Sequence, residues 1–350
     1  MGTAVCKSET PRRRSKPHDY YRELVTRHAR RRILSLAVGA MALPALLGIA
    51  WGQTYPSHPV RLIVGFAAGG SNDIVARLMG QALSKRLGQQ VIIENRPGGA
   101  TNIATEAVVN APPDGHTLLL ASTAASINAT LYERLNFNFI RDIAPVAGIM
   151  RVPNVMEVNP SVPAKTVPEF ISFAKANTGR ISMASGGTGS SSHLAGELFK
   201  LLAGVNMVHV PYRGGAQPLI DLIGGQVQIM FDVMPSSIEY IRGGKLRVLA
   251  VTTTTRSEAL PEVPSVSEFV PGYDVSTWYG FGVPKNTPSS IINALNKATN
   301  AVLEDPKIKT QLADLGGTPL PFSPAEFGKL IVDETDKWAR VIRAANIKPD

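Results

Sequence analysis

Cysteine is nearly absent from this 350-residue sequence, whose single cysteine is Cys6, close to the N-terminus. The rest of the chain therefore offers no thiol for a disulfide, a cysteine-based metal site or a cysteine nucleophile. Several enzyme motifs are missing too: no G-x-x-x-x-G-K-S/T, G-x-G-x-x-G, H-E-x-x-H or G-x-S-x-G occurs. These absences argue against a nucleotide-dependent enzyme, a zinc peptidase and an α/β-hydrolase, and we predict no cofactor and no metal.

Acidic residues are too few to balance the basic ones, because the chain carries 36 Lys and Arg against 27 Asp and Glu. The excess is concentrated at the start, since residues 1–52 contain ten of the basic residues and only three acids. The rest of the chain is close to neutral, unlike the broad basic surface that binds nucleic acid. With hydrophobic residues at 44%, this part predicts a globular body without a nucleic-acid partner.

Charge is completely absent from Ile33–Trp51, an Ala- and Gly-rich run that directly follows Arg30-Arg31-Arg32. A basic segment, an apolar run and small residues at Ala50 and Gly52 are typical of an export signal cleaved after Gly52. The arginines are compatible with either the twin-arginine or the general secretory route. A retained membrane anchor is the alternative, because nineteen uncharged residues are just long enough to span a bilayer. We predict that residues 1–52 are a leader and that the body is periplasmic.

From Tyr55 onward, short apolar runs rich in β-branched residues alternate with helical patterns. Val60–Phe66 predicts a buried strand, and the amphipathic pattern that ends at Gly88 predicts the helix after it. The same strand–helix order returns after Met150, and two helical stretches close the chain. Such alternation is typical of parallel sheets flanked by helices. We therefore predict an α/β protein with one mostly parallel sheet in each of two lobes and a cleft between the lobes.

Two glycine-rich loops, Ala67–Asp73 and Gly186–Ser192, each connect a predicted strand to a predicted helix. Backbone N–H groups at such a loop and at the helix N-terminus can hold a carboxylate or phosphate without any cationic side chain. Neither loop contains Lys or Arg. Tight turns without a ligand are the alternative, but two such loops facing one cleft favour an anion site. Four hydroxyl groups would add donors: those of Ser71, Thr188, Ser190 and Ser191.

A serine hydrolase is the enzymatic alternative, because Ser190–Ser192, His193 and Asp232 contain the residue types of a catalytic triad. Adjacent Ser and His at a helix start point in different directions, so the hydroxyls are better explained as helix caps or ligand donors. Asp232 follows a predicted strand, where it either contacts a ligand or caps the next helix. Phe66, at the end of the first strand, lines the cleft or fills the core.

Four histidines of the body are dispersed along the sequence: His58, His116, His193 and His209. Their spacing matches no metal-ligand pattern. We therefore interpret each of them as a structural or surface histidine.

A series of short motifs runs through the body in one order. The first half contains YPSHPV from Tyr55, FAAGGSND from Phe66, NRPG from Asn95 and PPDGHTL from Pro112. The second half contains GTGSSSHL from Gly187, VPYRG from Val210, DLIGG from Asp221 and MFD from Met230. This series resembles the Bug family, the substrate-binding receptors of tripartite tricarboxylate transporters, and the resemblance extends from about Tyr55 to Ile347.

The resemblance implies a Venus-flytrap fold of the periplasmic-binding-protein class and a function without catalysis. Its first lobe would comprise residues 53–149 and 276–350, and its second lobe residues 150–275. A small carboxylate would be gripped by the first loop, while the second loop closes from the other lobe and Asp232 meets the distal polar group. The predicted ligand-binding residues are Phe66, Ala67, Ala68, Gly69, Gly70, Ser71, Asp73, Gly187, Thr188, Gly189, Ser190, Ser191 and Asp232.

The resemblance also implies a partner, because such receptors deliver their ligand to the membrane permease of the transporter. We predict a monomeric receptor. A sensory receptor that reports a carboxylate to a membrane signalling protein would use the same fold and is the second alternative. The sequence leaves the ligand open among dicarboxylates, tricarboxylates, amino acids and aromatic acids.

Overall fold

The computed structural model of the protein describes residues 1–4 and 55–349. The arginines, the uncharged run and the cleavage position after Gly52 of the predicted leader lie outside the described residues. Within them, no helix has the length and apolar character needed to cross a membrane. From Tyr55 onward the chain forms one compact unit.

The strands form where short runs of β-branched and other apolar residues occur. β1 shows this best, because its sequence VRLIV is buried except at Arg61, as expected for a strand that is covered on both faces. The strands are β1 (Val60–Val64), β2 (Val91–Asn95), β3 (Thr117–Ser122), β4 (Ile143–Val158), β5 (Ser182–Ser185), β6 (Val208–Pro211), β7 (Ile229–Val233), β8 (Arg247–Val251), β9 (Ser276–Pro284) and β10 (Thr318–Pro319).

The helices begin and end where side chains or backbone geometry satisfy their free ends. They are α1 (Ser71–Leu87), α2 (Asn102–Val109), α3 (Thr123–Leu131), α4 (Phe139–Asp142), α5 (Val167–Ala176), α6 (Ser191–Ala203), α7 (Ala216–Ile223), α8 (Met234–Arg242), α9 (Ser289–Glu304), α10 (Pro306–Asp314) and α11 (Pro324–Ala344). α1 ends because Gly88 adopts a left-handed conformation with φ of 69°. Ser190 caps α6 and Ser323 caps α11, each accepting a hydrogen bond from a first-turn amide.

β4 belongs to two sheets, because it is 16 residues long and pairs with different strands along its length. It lies antiparallel to β9, from which the first sheet continues through β3 and β1 to β2. The last part of β4 also lies antiparallel to β7, which is followed by β5 and β6. β1 pairs in parallel with β2 and β3, and β5 pairs in parallel with β6 and β7.

This mixed sheet flanked by helices confirms the predicted α/β fold class. The antiparallel strands β4 and β9 at its centre are a feature that the strand–helix alternation did not predict. The predicted boundary between residues 149 and 150 falls inside β4. The division into lobes at residues 53–149 with 276–350 and at residues 150–275 stays a prediction.

Two main apolar clusters fill the space between the sheets and their helices. One joins β1, α1 and α9 through buried residues such as Leu62, Met79 and Leu295. The other joins β5, α6 and β7 through residues such as Met183, Phe199 and Phe231. Because protein cores are close-packed, these strands hold the loops at their carboxyl ends in defined positions.

Candidate functional site

A small pocket lies where the residues that end or follow β1, β3, β5 and β7 come together. Its cavity volume is ≈30 Å³, about the volume that one molecule occupies in liquid water. The lining residues are Phe66, Gly70, Ser71, Asn72, Ser122, Ala124, Gly186, Ser190, Ser191, Ser192, Gly215, Asp232, Val233 and Thr277. Ligands of α/β proteins bind at the carboxyl ends of the strands, so this pocket is the candidate site.

The first glycine-rich loop leaves backbone donors unpaired at the start of α1. The N-cap position is occupied by Gly70, so no side chain accepts hydrogen bonds from the first turn. The Ile74 amide donates to the Gly70 carbonyl at 3.0 Å, whereas the amides of Ser71 and Asn72 precede the first carbonyl that the helix supplies. Both residues line the pocket. The helix therefore presents N–H donors and the positive end of its dipole to the pocket.

Asn72 is a site residue that the sequence analysis missed. The residue is only 7% exposed, and its Nδ2 atom has no hydrogen-bond partner among the described residues. Leaving a buried donor unpaired costs about 1–3 kcal/mol, so an acceptor that binds in the pocket regains this free energy. Asn72 stands next to the predicted Ser71, but only the phase of α1 shows that its side chain faces the pocket.

Ser71, a predicted site residue, is held in place by a tyrosine of β9. The Tyr279 hydroxyl donates to Ser71 Oγ at 2.9 Å, and both side chains are buried. Burial raises the pKa of Tyr279, so the phenol keeps its proton. Since Ser71 Oγ accepts from Tyr279, its own proton is available to a ligand in the pocket.

Asp73, also predicted to bind the ligand, maintains the shape of the first loop. Its Oδ2 accepts from the Gly69 amide at 3.0 Å and from Arg77 Nε at 2.8 Å, and its Oδ1 accepts from Asn95 Nδ2 at 3.0 Å. Burial opposes ionisation, but the hydrogen bonds from Arg77, Gly69 and Asn95 outweigh it and lower the pKa of Asp73. Asp73 is not among the pocket-lining residues.

The predicted residues therefore divide into two groups. Those that border the pocket are Phe66, Gly70, Ser71, Ser190, Ser191 and Asp232. Those that do not are Ala67, Ala68, Gly69, Asp73, Gly187, Thr188 and Gly189. Gly187 and Thr188 border a second cavity, which has a volume of ≈230 Å³. Phe66 and Gly186 line both cavities and lie between them. A ligand role for the predicted residues stays a prediction.

The second glycine-rich loop pairs most of its own backbone donors. Three glycine amides donate to side chains of the same segment: Gly186 to Ser192 Oγ at 2.9 Å, Gly187 to Ser185 Oγ at 3.1 Å and Gly189 to His193 Nδ1 at 3.3 Å. The His193 amide donates to Ser190 Oγ at 3.2 Å. This loop therefore supports itself, and what it offers the pocket is chiefly hydroxyl groups.

His193 serves the second loop as a neutral acceptor. Because Nδ1 accepts from the Gly189 amide, the imidazole carries its proton on Nε2. Burial, together with the charges of His209 and Lys200, lowers the pKa of His193 to about 3. Within the described residues, no hydrogen bond joins the His193 ring to a serine hydroxyl or to Asp232. The geometry therefore does not support the serine-hydrolase alternative.

Asp232 lies inside β7 and borders the pocket with only 2% of its surface exposed. The expectation that it caps the following helix is wrong, because Val233 occupies the N-cap position of α8. Its Oδ2 accepts from Ser236 Oγ at 2.5 Å and from Ser237 Oγ at 2.9 Å. Burial raises the pKa of Asp232 to about 6, although both serine hydroxyls oppose the shift.

Ser122, Gly215 and Thr277 also line the pocket and were missed. Thr277 Oγ1 lies 2.9 Å from Ser191 Oγ and 2.9 Å from Asn154 Oδ1, so it ties β9 to the second loop. Ser122 is the last residue of β3 and Thr277 is the second residue of β9. An inspection of every predicted strand end for hydroxyl residues would have found both.

The histidines, although dispersed along the sequence, pair in the fold, a feature that their spacing did not predict. The rings of His58 and His116 stack at 3.7 Å between centroids, and those of His193 and His209 at 4.1 Å. His58, His116 and Asp114 are the one group among the described residues whose ligand atoms lie close enough for a metal ion, within 4.8 Å. His116 Nε2 accepts from the Ser57 amide at 3.2 Å, and His116 Nδ1 lies 3.4 Å from Asp114 Oδ1. The absence of a metal site stays a prediction.

Comparison with known proteins places this geometry in context. The family described as "Tripartite tricarboxylate transporter family receptor" matches residues 75–347. Among curated proteins, Protein BugT of Bordetella pertussis is 35% identical over 299 residues, which cover 85% of this chain and 92% of BugT.

Solved structures give the same picture. "R. palustris Rpa4515 with adipate" has a TM-score of 0.83 at 34% identity and covers 85% of this chain and 100% of that one. "MatC (Rpa3494) from Rhodopseudomonas palustris with bound malate" has a TM-score of 0.79 at 31% identity and covers 82% and 100%. The similarity therefore includes both the sequence and the whole fold of the described body.

Proposed function

Because the chain belongs to the family of tripartite tricarboxylate transporter receptors, we propose that it captures a small carboxylate outside the cytoplasm and delivers it to a membrane permease. The ligand lies between the start of α1 and Asp232. Two similar solved proteins support the ligand class, because one was determined with adipate and the other with malate. The protein binds its ligand without changing it chemically.

The observation that carries the proposal is the uncapped start of α1. Its free amides, the Asn72 side chain and the Ser71 hydroxyl all belong to one pocket, whose lining contains neither Lys nor Arg. Neutral donors and a helix dipole can hold a carboxylate in this arrangement. A hydrogen bond to a charged group contributes about 1.5–3 kcal/mol, so a few such donors are enough for a specific receptor.

The size of the pocket indicates how the ligand enters. A cavity of ≈30 Å³ is too small for a dicarboxylate such as adipate, whereas the neighbouring cavity of ≈230 Å³ adjoins it across Phe66 and Gly186. We therefore propose that the two loops separate by a hinge motion, admit the ligand and close on it.

Location and partner follow from the family and the leader. The apolar run after Arg30-Arg31-Arg32 supports export to the periplasm with cleavage after Gly52. We propose that the processed protein acts there as a monomer and that its membrane partner is a permease of the tripartite tricarboxylate type.

The decisive experiment is calorimetric titration of the processed protein and of Asn72→Asp with adipate and malate. The substitution puts a negative charge where the donor stood, so we expect the affinity for both acids to fall about 100-fold or more. The fold should survive, because an acidic residue in the first turn of a helix is stabilising by about 0.3–1 kcal/mol.

Asn138→Asp is the matched control, since Asn138 caps α4 by accepting from the Arg141 amide and is exposed. Asp caps a helix as well as Asn does, so this variant should bind both acids like the wild type. Unchanged affinity in a folded Asn72→Asp variant would contradict the proposed site. Chemical conversion of either acid would contradict a purely binding function.

A further inference from the structure

A second acidic residue, Glu157, lies in the core beside Asp232. Glu157 is fully buried in β4, and the register pairs Val155 with Asp232 and Glu157 with Met230. Residues two apart along a strand share a face, so Glu157 lies on the same face as Val155. Since Val155 is paired with Asp232, Glu157 and Asp232 point to the same side of the sheet. α8 covers this side and supplies a serine between them.

The serine between them is Ser237, and its geometry determines the proton count. Ser237 Oγ lies 2.8 Å from Glu157 Oε1 and 2.9 Å from Asp232 Oδ2. A hydroxyl has one proton to donate, and an ionised carboxylate only accepts. One hydroxyl proton cannot bridge two ionised carboxylates, and both oxygen–oxygen distances are of hydrogen-bond length. The geometry therefore points to a proton on one of the two carboxyl groups, which donates it to Ser237.

The proton belongs to Glu157. Asp232 borders the pocket, and its Oδ2 lies 2.5 Å from Ser236 Oγ, whose hydroxyl also lies 2.9 Å from the Val233 carbonyl oxygen. The second oxygen of Glu157, in contrast, has no partner among the described residues. An ionised Glu157 would thus hold a charge in the core with a single donor, which is very costly. Burial, followed by the charge of Asp232, raises the pKa of Glu157 well above its usual value.

Few other titratable groups face Asp232. Tyr279 of β9 is one, and it stays protonated because burial raises its pKa and its hydroxyl is bonded to Ser71. The parts of α1, α8 and the Gly215 loop that line the pocket beside Asp232 supply Ser71, Asn72, Ser236 and Gly215, none of which titrates in the physiological range.

We propose that Glu157 and Asp232 share one proton through Ser237 and that Glu157, a positioning residue without contact to the pocket, thereby sets the charge that the ligand meets. This inference rests on the proposed function for its ligand. Near neutral pH the pair carries one negative charge, exposed to the pocket at Asp232. It therefore favours a ligand group that donates a hydrogen bond, such as a hydroxyl, ammonium or protonated acid.

A fully ionised dicarboxylate binds at this wall only when the pair takes a second proton from solvent. That proton goes onto Asp232, which then donates a hydrogen bond to the ligand carboxylate. Acidification should therefore strengthen the binding of adipate, which has no donor of its own at its far end.

Infrared spectroscopy of the ligand-free protein tests the shared proton directly. At neutral pH we expect the carbonyl stretch of a protonated carboxylic acid, which should disappear in Glu157→Gln and persist in Asp232→Asn. Gln keeps the shape and an N–H donor towards Ser237, so this variant should fold. A spectrum without the band, or a band that Glu157→Gln leaves unchanged, would overturn the proposal.

Adipate titrations at several pH values test the consequence for the ligand. Wild-type affinity, calculated for the concentration of fully ionised adipate at each pH, should rise about tenfold between about pH 8 and about pH 5, equivalent to one pKa unit of coupling. The rise should vanish in Asp232→Asn and remain in Glu157→Gln. A rise of the same size in Asp232→Asn would overturn the assignment of the second proton. Failure of wild type to bind adipate and malate would count against the proposed function, while the infrared result still decides the shared proton.

Discussion

The two glycine-rich loops follow parallel strands and open helices in the same way, but they use their backbone donors differently. In the first loop the N-cap of α1 is Gly70, and among the described residues no side chain caps the amides at the helix start. In the second loop Ser190 caps α6, and three glycine amides are bonded to neighbouring side chains. The first loop therefore has donors to offer a ligand, whereas the second loop uses its donors to hold its own shape.

Their glycines differ for the same reason. A methyl group on Gly70 would lie 3.2 Å from the Gly215 amide nitrogen, which is a tight but tolerable contact. A methyl group on Gly189, whose φ is +89°, would lie only 2.3 Å from Asn128 Oδ1. The first loop thus needs glycine at position 70 so that the segment with Gly215 can approach it. The second loop needs glycine at position 189 because the Asn128 side chain packs against it. Substitutions should separate binding from stability between the loops.

Gly189→Ala should have the largest effect, and it should act on stability. The new methyl group overlaps Asn128 and approaches Ala100 and Leu131 at 3.2 Å, and the left-handed backbone adds strain. We expect the free energy of unfolding to fall by about 3 kcal/mol or more, measured by denaturant unfolding. Gly204→Ala is the control, because Gly204 also has positive φ but open space around it. It should cost only about 1–2 kcal/mol, and equal losses in both variants would refute the packing argument.

Acid should loosen the second loop through His193. A lowered folded pKa means that, below the unfolded value near 6.5, the unfolded chain binds a proton that the folded chain does not, so stability falls as the pH drops. At about pH 4.5 the expected loss is about 2–3 kcal/mol relative to neutral pH.

His193→Asn tests this loss by thermal or urea unfolding over a pH series, since its Oδ1 can still accept from the Gly189 amide without titrating. Between about pH 6 and about pH 4, the slope of the free energy of unfolding against pH should then decrease by the amount that corresponds to about one proton taken up on unfolding. If His193→Asn keeps the full wild-type slope, His193 is not the group that makes stability depend on pH.

Gly70→Ala and Gly70→Ser form a smaller but finer test of the first loop. Both add the same Cβ beside Gly215, so both should weaken adipate and malate binding about tenfold or more. Only Ser can cap α1 by accepting from a first-turn amide, and we expect it to be about 1 kcal/mol more stable than the Ala variant. It should also bind less tightly, because the hydroxyl competes with the ligand for the same donors. Identical behaviour of the two variants would show that these amides are not available.

Much of the fold follows from local pattern. The sequence pattern predicts helices over Ala216–Ile223 and about Ser289–Glu304, and the structure has helices with these bounds, because each segment combines an apolar face with clear end signals. β4 was not predicted, and its sequence explains why: Pro145 and Pro153 argue against a central strand. The ladder to β9 accommodates them with register shifts, one of them between Pro145 and Ala147. Only the tertiary pairing shows this.

The site was predictable where it depends on a loop motif and not where it depends on a contact across the fold. The glycine-rich loops and Asp232 could be selected from the sequence, because strand-to-helix turns carry ligands in α/β proteins. The role of Asn72 could be recognised only from the direction in which its side chain leaves α1. The role of Asp73 depends on its hydrogen bond with Asn95, which is distant in sequence. Glu157 resembles a misplaced charge in an apolar strand until Ser237 and Asp232 are seen beside it.

The small pocket also has a consequence for the timing of exchange. Since a space of ≈30 Å³ admits little more than water, the proposed hinge motion has to precede both the entry and the departure of a dicarboxylate. The observed association rate should therefore level off at high ligand concentration, at a value set by the opening rate of the protein. A membrane partner that separates the two loops would thus control the rate of ligand release without competing for the ligand itself.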